Sequence, residues 1–465
     1  MLTIAQVFFI MLSHYKLFYG ECAMYRDLTR GSISRSLILF ALPMMAGNML
    51  QQFYNIADTL IVSRALGANA LAAVGSAYTL MTFLTSIFLG LSMGSGALFS
   101  IYRGRNDSAS LRSGILHAFV LILSITVLLN AAVYAFMEPI LSFLRVPDAV
   151  RGGMREYLAI IYVGLIATSL YNYVSCLLRA LGNSSVPLIF LAVSAVLNIA
   201  LDLIFVLVFS WGIAGAAWAT VIAQYVSAVG LCLYVLFKCP ELIPRREDMR
   251  FSKPILKDIF SLSSLTCLQQ SVMNFGILMV QGLVNSFGAT VMAAFAAAVK
   301  IDTFAYLPVQ DFGNAYSTFV AQNHGAGDHE RIRAGTKQAF IISAAFSVAI
   351  SALVFTFARP LMLIFIDANE TAVLLAGIKY LRIEGAFYFG IGCLFLLYGY
   401  FRAVQRPAMS VVLTVISLGT RVALAYILSA KIGEIGIWMA IPIGWLLADA
   451  AGLITMFKSR RLQKQ

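Results

Sequence analysis

The sequence predicts an all-α integral membrane protein: twelve transmembrane helices in two six-helix lobes, related by a pseudo-two-fold axis along the membrane normal. Three observations carry that expectation. Of the 465 residues, 60% are hydrophobic and 12% charged, with a mean hydropathy of +0.86. A soluble domain runs at roughly 45–50% apolar and about 25% charged. The apolar residues also fall in long unbroken runs such as Ala339–Ala358, matching the ~20 residues a helix needs to cross hydrocarbon. A membrane β-barrel shows short alternating segments instead. Finally, the chain repeats itself, as described below.

The spans follow from apolar runs bounded by polar or Gly/Pro clusters. Span one, 36–63, ends at RALGAN, and span two, 70–101, ends at RGRND. Spans three to six are 114–137, 156–179, 186–209 and 213–237, the last stopped by Lys238-Cys239-Pro240. Spans seven to twelve are 255–285, 290–321, 335–357, 374–400, 408–429 and 435–457. The longest polar connection, KCPELIPRREDMRFSK (238–253), lies between spans six and seven. The expected organisation is therefore an N-lobe at 24–238, an inter-lobe loop at 239–254 and a C-lobe at 255–465. Residues 1–23 contain a short apolar run with no basic segment before it and no small-residue cleavage site after it. They make a poor signal peptide and read as an extension outside the core fold.

The net charge of +12 points to basic cytoplasmic loops rather than to nucleic acid. Beyond residue 23, the side holding both termini carries 22 Lys and Arg against seven on the other. Both ends are expected in the cytoplasm of a plasma-membrane protein. The cysteines, Cys22, Cys176, Cys232, Cys239, Cys267 and Cys393, form no CxxC pair and read as small hydrophobes. No HExxH, no GxSxG following a strand and no P-loop is present, which argues against a membrane enzyme or an ATP-driven pump. No repeated filter suggests a channel.

The repeat is read from one shift. Displaced by 221, Gly67 meets Gly288, Gly104 meets Gly325, Asp107 meets Asp328, Arg112 meets Arg333, Gly114 meets Gly335 and Gly215 meets Gly436. An even number of spans separates the copies, so both face the same way, as in parallel-repeat transporters. Two like-oriented bundles suit alternating access.

Asp58 sits mid-span, where a carboxylate costs roughly 2.5–3.5 kcal/mol even on the lenient scale. Span five carries Asn198 and Asp202, spaced i,i+4 and so on one helix face. Thr220 lies in span six, and Gln51 and Tyr54 lie near the Asp58 face. Two carboxylates, an amide and a hydroxyl are hard oxygen ligands suited to Na⁺. Nearby carboxylates in low dielectric also resist joint ionisation, so the cluster equally suits H⁺. The bland alternative is polar glue between helices, usually worth only ~0.6 kcal/mol, which Asn or Ser supplies without a charge. The site was not duplicated: Met279 stands opposite Asp58 at the 221 shift, and Arg421 and Ala425 stand opposite Asn198 and Asp202 at 223. The second half instead carries Lys300, Asp302, Asp311, Glu384, Arg421 and Asp449. They read either as internal ion pairs or, for Asp302 and Glu384, as groups facing a cavity that draws cations.

The stretches LILFALPMMAGNMLQQFYNIADTLIVSRALGANALAAVG, LRALGNSSVPLIFLAVSAVLNIALDLIFV, GIAGAAWATVIAQ and PVQDFGNAYSTFVAQNHGAGDHERIRAG are together similar to the prokaryotic branch of the multidrug and toxic compound extrusion (MATE) family, over about residues 24–460. The resemblance implies a V-shaped pair of six-helix lobes and cation-coupled efflux of amphipathic, often cationic drug-like compounds. Asp58, Asn198, Asp202 and Thr220 match its amino-lobe cation site, and Gln51, Tyr54 and Asn172 match neighbouring polar positions. Pro43 is the expected bending point of span one. The expected coupling ion is Na⁺ or H⁺, with no other cofactor. The expected partners are the bilayer and small molecules, with a monomer as the working state. The competing reading in the same wider superfamily is a flippase for a lipid-linked precursor.

Overall fold

The computed structural model describes residues 26–143, 146, 148–248 and 250–462. The expected extension at 1–23, with Cys22, lies outside them. Among the described residues the regular structure is helical. Hydrocarbon dictates this, because a helix satisfies its backbone donors and acceptors internally.

In chain order, α1 is Ile33–Leu66, α2 Ala68–Gly104, α3 Ser108–Ala135, α4 Met137–Phe143, α5 Asp148–Ile161, α6 Leu165–Ala180, α7 Ser185–Asp202 and α8 Gly212–Lys238. The second half continues with α9 Lys253–Asn285, α10 Ala289–Gly325, α11 His329–Met362, α12 Thr371–Gly385, α13 Tyr388–Ala403, α14 Pro407–Ile432 and α15 Glu434–Leu462. Eleven spans are long and apolar enough to cross a membrane, with α5 and α6 joining as one. The pair α12 and α13, bent by 50° at its break, makes the twelfth. The expected twelve spans are therefore present, with span ten broken in the middle.

The repeat is visible in the helix ends. Both ends of α2 and α10 are displaced by 221 residues, as are the starts of α3 and α11. Gly67 (φ 82°) precedes α2 and Gly288 (φ 92°) precedes α10. Both occupy the left-handed region, where a Cβ is costly. Asp107 caps α3 by accepting from Ser110 N (3.0 Å), and Asp328 caps α11 by accepting from Arg331 N (2.8 Å). Each cap satisfies an amide that the helix start leaves unpaired. Proline acts differently in two spans: α1 runs unbroken through Pro43, whereas α11 is kinked at Phe357 (φ −99°, ψ 18°), three residues before Pro360.

The chain forms two compact units. The first comprises residues 26–30 and 42–263, and the second residues 31–41 and 264–462. Their boundary falls inside α9, so the first turns of α1 pack in the second unit and the first turns of α9 pack in the first. Within the first unit, Ser263 Oγ donates to Leu91 O (3.0 Å). There α2 and α9 approach so closely that a Cβ on Gly94 would lie 2.5 Å from Leu262 O. Its main core joins α2, α5, α6 and α8 through residues such as Phe88, Leu158, Tyr162, Leu165 and Ala217. In the second unit, Trp438 of α15 stacks on Phe295 of α10 (5.4 Å, 7°) and meets Tyr380 of α12 edge-on (4.9 Å, 88°). Such pairs contribute about 0.5–1.5 kcal/mol each beyond their buried area.

Candidate cation site

The first unit brings the expected site residues of α1, α7 and α8 together. Asp58 lies in the second half of α1, about two turns before its last residue, Leu66. Asp202 is the last residue of α7 and fully buried, and Asn198 lies one turn before it, 3% exposed. The carboxyls of Asp58 and Asp202 lie close enough to act on one another. Asn198 Nδ2 donates to Thr220 Oγ1 (3.3 Å), and that hydroxyl donates onward to Ala216 O (3.1 Å) along α8. The amide is thereby oriented with its Oδ1 free.

What the cluster lacks is donors. Among the described residues, no N–H or O–H reaches Asp58 Oδ1, either carboxyl oxygen of Asp202 or Asn198 Oδ1. Four buried acceptors without a donor carry a heavy desolvation cost. Two ways of relieving it suit this geometry. A proton on one carboxyl makes it a donor to the other. A hard monovalent cation takes the same oxygens as ligands. Either one would satisfy oxygens that the protein's own donors leave bare.

Several features around it were not legible beforehand. Immediately after Asp202 the chain makes a π-helical turn at Leu203–Val208, with Phe209 N bonded to Ile204 O (2.9 Å). Such turns recur at functional sites. The turn is stacked beneath by Phe205 against Trp211 (4.7 Å). Tyr157 of α5, 7% exposed, lies close enough to feel both aspartates and Tyr54. The signal for Tyr157 was a phenol in an apolar run, since a buried Tyr hydroxyl needs a polar neighbour. Of the residues expected from the sequence, Tyr54 lies near enough to both Gln51 and Asp58 to be influenced by them. Asn172 donates to Thr168 O of its own helix (2.9 Å).

The second-half charges arrange differently. Asp302 of α10 accepts from Tyr380 of α12 (2.8 Å) and from Tyr388 of α13. Glu384, the penultimate residue of α12, also reaches Asp302. The break between α12 and α13 places Glu384 on one side of it and Tyr388 on the other, both toward Asp302. Arg421 of α14 lies near enough to act on both acids, although among the described residues its Nε has no hydrogen-bond partner. The expectation of internal ion pairs fails for Lys300. Its ammonium is exposed and lies over the Phe365 ring at 5.7 Å, because its position on α10 turns it away from Asp302 two residues on. Asp449 of α15 meets the Cys393 thiol of α13.

Two six-helix repeats with a buried, donor-free carboxylate pair in one of them define a polytopic membrane transporter. Family-level comparison is consistent throughout: the MatE family model matches residues 43–204 and 265–427, once per half. The chain belongs to the MatE family. It is similar to the probable multidrug resistance protein YpnP of Bacillus subtilis, at 31% identity over 92% of this chain and 96% of that one. It is also similar to the probable multidrug resistance protein NorM of Thermotoga maritima, at 25% identity over 88% of each. The solved structure of a MOP superfamily transporter from Pyrococcus furiosus superposes with a TM-score of 0.89 at 22% identity, covering 94% of this chain and 98% of that one.

Proposed function

We propose that this protein exports amphipathic, cationic small molecules by antiport with Na⁺ or H⁺ through alternating access. The observation that carries the reading is the set of four buried acceptor oxygens on Asp58, Asp202 and Asn198 that no donor reaches. A transporter needs a group whose charge is cancelled by its driving ion and restored on release. The relatives named for multidrug resistance support drug-like substrates. In this reading the ion joins α1 to α7, and its departure leaves two carboxylates that repel and drive α1 to bend at Pro43. The working form is a monomer in the plasma membrane with both termini in the cytoplasm, as the distribution of Lys and Arg favours.

The test is efflux of a fluorescent cation from proteoliposomes under an imposed Na⁺ gradient or, separately, a pH gradient. Transport under one gradient, abolished in Asp58→Asn and Asp202→Asn, is the expected result. Full gradient-driven transport by Asp58→Asn would sink the proposal. So would a folded wild-type protein that responds to neither gradient.

A further inference from the structure

Each unit grips the incoming start of a helix with a matching clasp. In the second unit, Gln338 of α11 accepts from Ser34 Oγ of α1 (2.7 Å), and Arg331 donates to Gly31 O (3.0 Å). In the first unit, the residue displaced by 221 from Gln338 is His117 of α3. His117 holds Ser252, the residue just before α9. Beside it, Arg112 Nε binds Asp248 Oδ2 (2.6 Å), and Asp248 Oδ2 also accepts from Arg245 N (2.9 Å). The two halves therefore use the same position for the same task, with an amide in one and an imidazole in the other.

The partners of His117 fix its protonation. Its Nδ1 faces Ser113 O at 2.7 Å, and a carbonyl can only accept, so Nδ1 carries the hydrogen. Its Nε2 faces Ser252 N at 3.1 Å, and a backbone amide can only donate, so Nε2 must offer a lone pair. The clasp exists only with a neutral ring. The ring is 8% exposed and packs against Phe251 at 6.0 Å. A second proton would set two donors against each other inside this packing.

We propose that His117 is a proton-operated catch that holds the inter-lobe segment and the start of α9 at neutral pH and releases them on acidification. The other titratable and charged groups on the elements that hold it are Arg112 on α3, Tyr102, Arg105 and Asp107 at the α2–α3 corner, Glu241, Arg245, Glu247, Asp248 and Arg250 in the segment, and Lys253, Lys257 and Asp258 at the start of α9. Side chains of those types titrate outside pH 5–8, whereas imidazole titrates within it. Arg112 holds the Asp248 carboxyl below its usual range, so the neighbouring ion pair survives that acidification. Only one of the two clasps opens, because Gln338 has no proton to gain.

Hydrogen exchange with mass spectrometry, without any gradient and corrected for intrinsic rates, tests this independently of the transport reading. Between pH 8 and pH 5, peptides spanning 250–262 lose protection by about tenfold or more, while peptides spanning 31–41 do not change. His117→Gln, which copies the other clasp, keeps 250–262 protected throughout. Gln338→His brings the acid response to 31–41. Unchanged protection of 250–262 in the wild type would overturn the proposal, whatever the variants do. An equal loss in His117→Gln would overturn it too.

Discussion

Asp58 and Asp202 in the first unit meet with no donor between them, whereas Asp302 in the second accepts from two tyrosines and has Arg421 close by. Both are buried acids in one repeated framework. One is left without donors, and the proposed cation would complete it. The other is completed by the protein's own hydroxyls, which leave such a cation less to offer. A buried acid in a membrane helix thus takes its role from its donors, more than from its depth. The difference is sharp enough to be broken deliberately.

The largest effect is expected on the incomplete side. Asp202→Asn should lower gradient-driven efflux by about 100-fold or more, equivalent to roughly 2.7 kcal/mol of lost coupling, while thermal stability in detergent holds or rises. A large stability loss with intact coupling would show that Asp202 is a structural acid after all. Next comes the completed side. Asp302→Leu leaves the hydroxyls of Tyr380 and Tyr388 without their acceptor, at a cost of about 1–3 kcal/mol each, and should lower the melting temperature more than Asp202→Asn does. A melting temperature equal to wild type would erase the contrast between the units.

A finer adjustment is Asn198→Leu. It removes one of the acceptor oxygens without touching either carboxyl, and should raise the driving-ion concentration needed for half-maximal efflux by about tenfold. An unchanged ion dependence would take Asn198 out of the site. The smallest effect belongs to the duplicated caps. Asp107→Ala should cost about 1 kcal/mol, read as a shift in chemical denaturation. The Ser110 hydrogen bond holds the Asp107 carboxyl below its usual range. The wild-type cap therefore contributes fully above the unfolded value near 4, and its contribution fades as pH falls through the lower folded value. Wild type and Asp107→Ala should converge in stability as the pH falls through the lowered folded value; a gap that stayed constant on acidification until the protein unfolds would rule out the carboxylate as the capping group.

The spans and the repeat were legible because both are written in local composition and in one constant offset. The clustering of Asp58, Asn198 and Asp202 was legible for a related reason: charge inside an apolar run is conspicuous, and the i,i+4 spacing of Asn198 and Asp202 orients both at once. The π-helical turn at Leu203–Val208 left no trace, since its residues are as apolar as any helix would require. The break in span ten was equally hidden, because Ala386 and Phe387 interrupt the helix without a proline. Lys300 misled for a different reason. Sequence proximity to Asp302 suggested a partner, but residues two apart on a helix do not share a face. Tyr157 was overlooked as one phenol among 20 tyrosines.

The clasp on α1 sets an order of events during synthesis. Gly31 and Arg331, which it joins, are 300 residues apart. At roughly 5–20 residues per second, the ribosome needs about 15–60 s to travel between them. For that interval the first helix is inserted but its leading turns are unclaimed, so nascent chains stalled before Arg331 should present residues 31–41 to proteases that the finished protein resists.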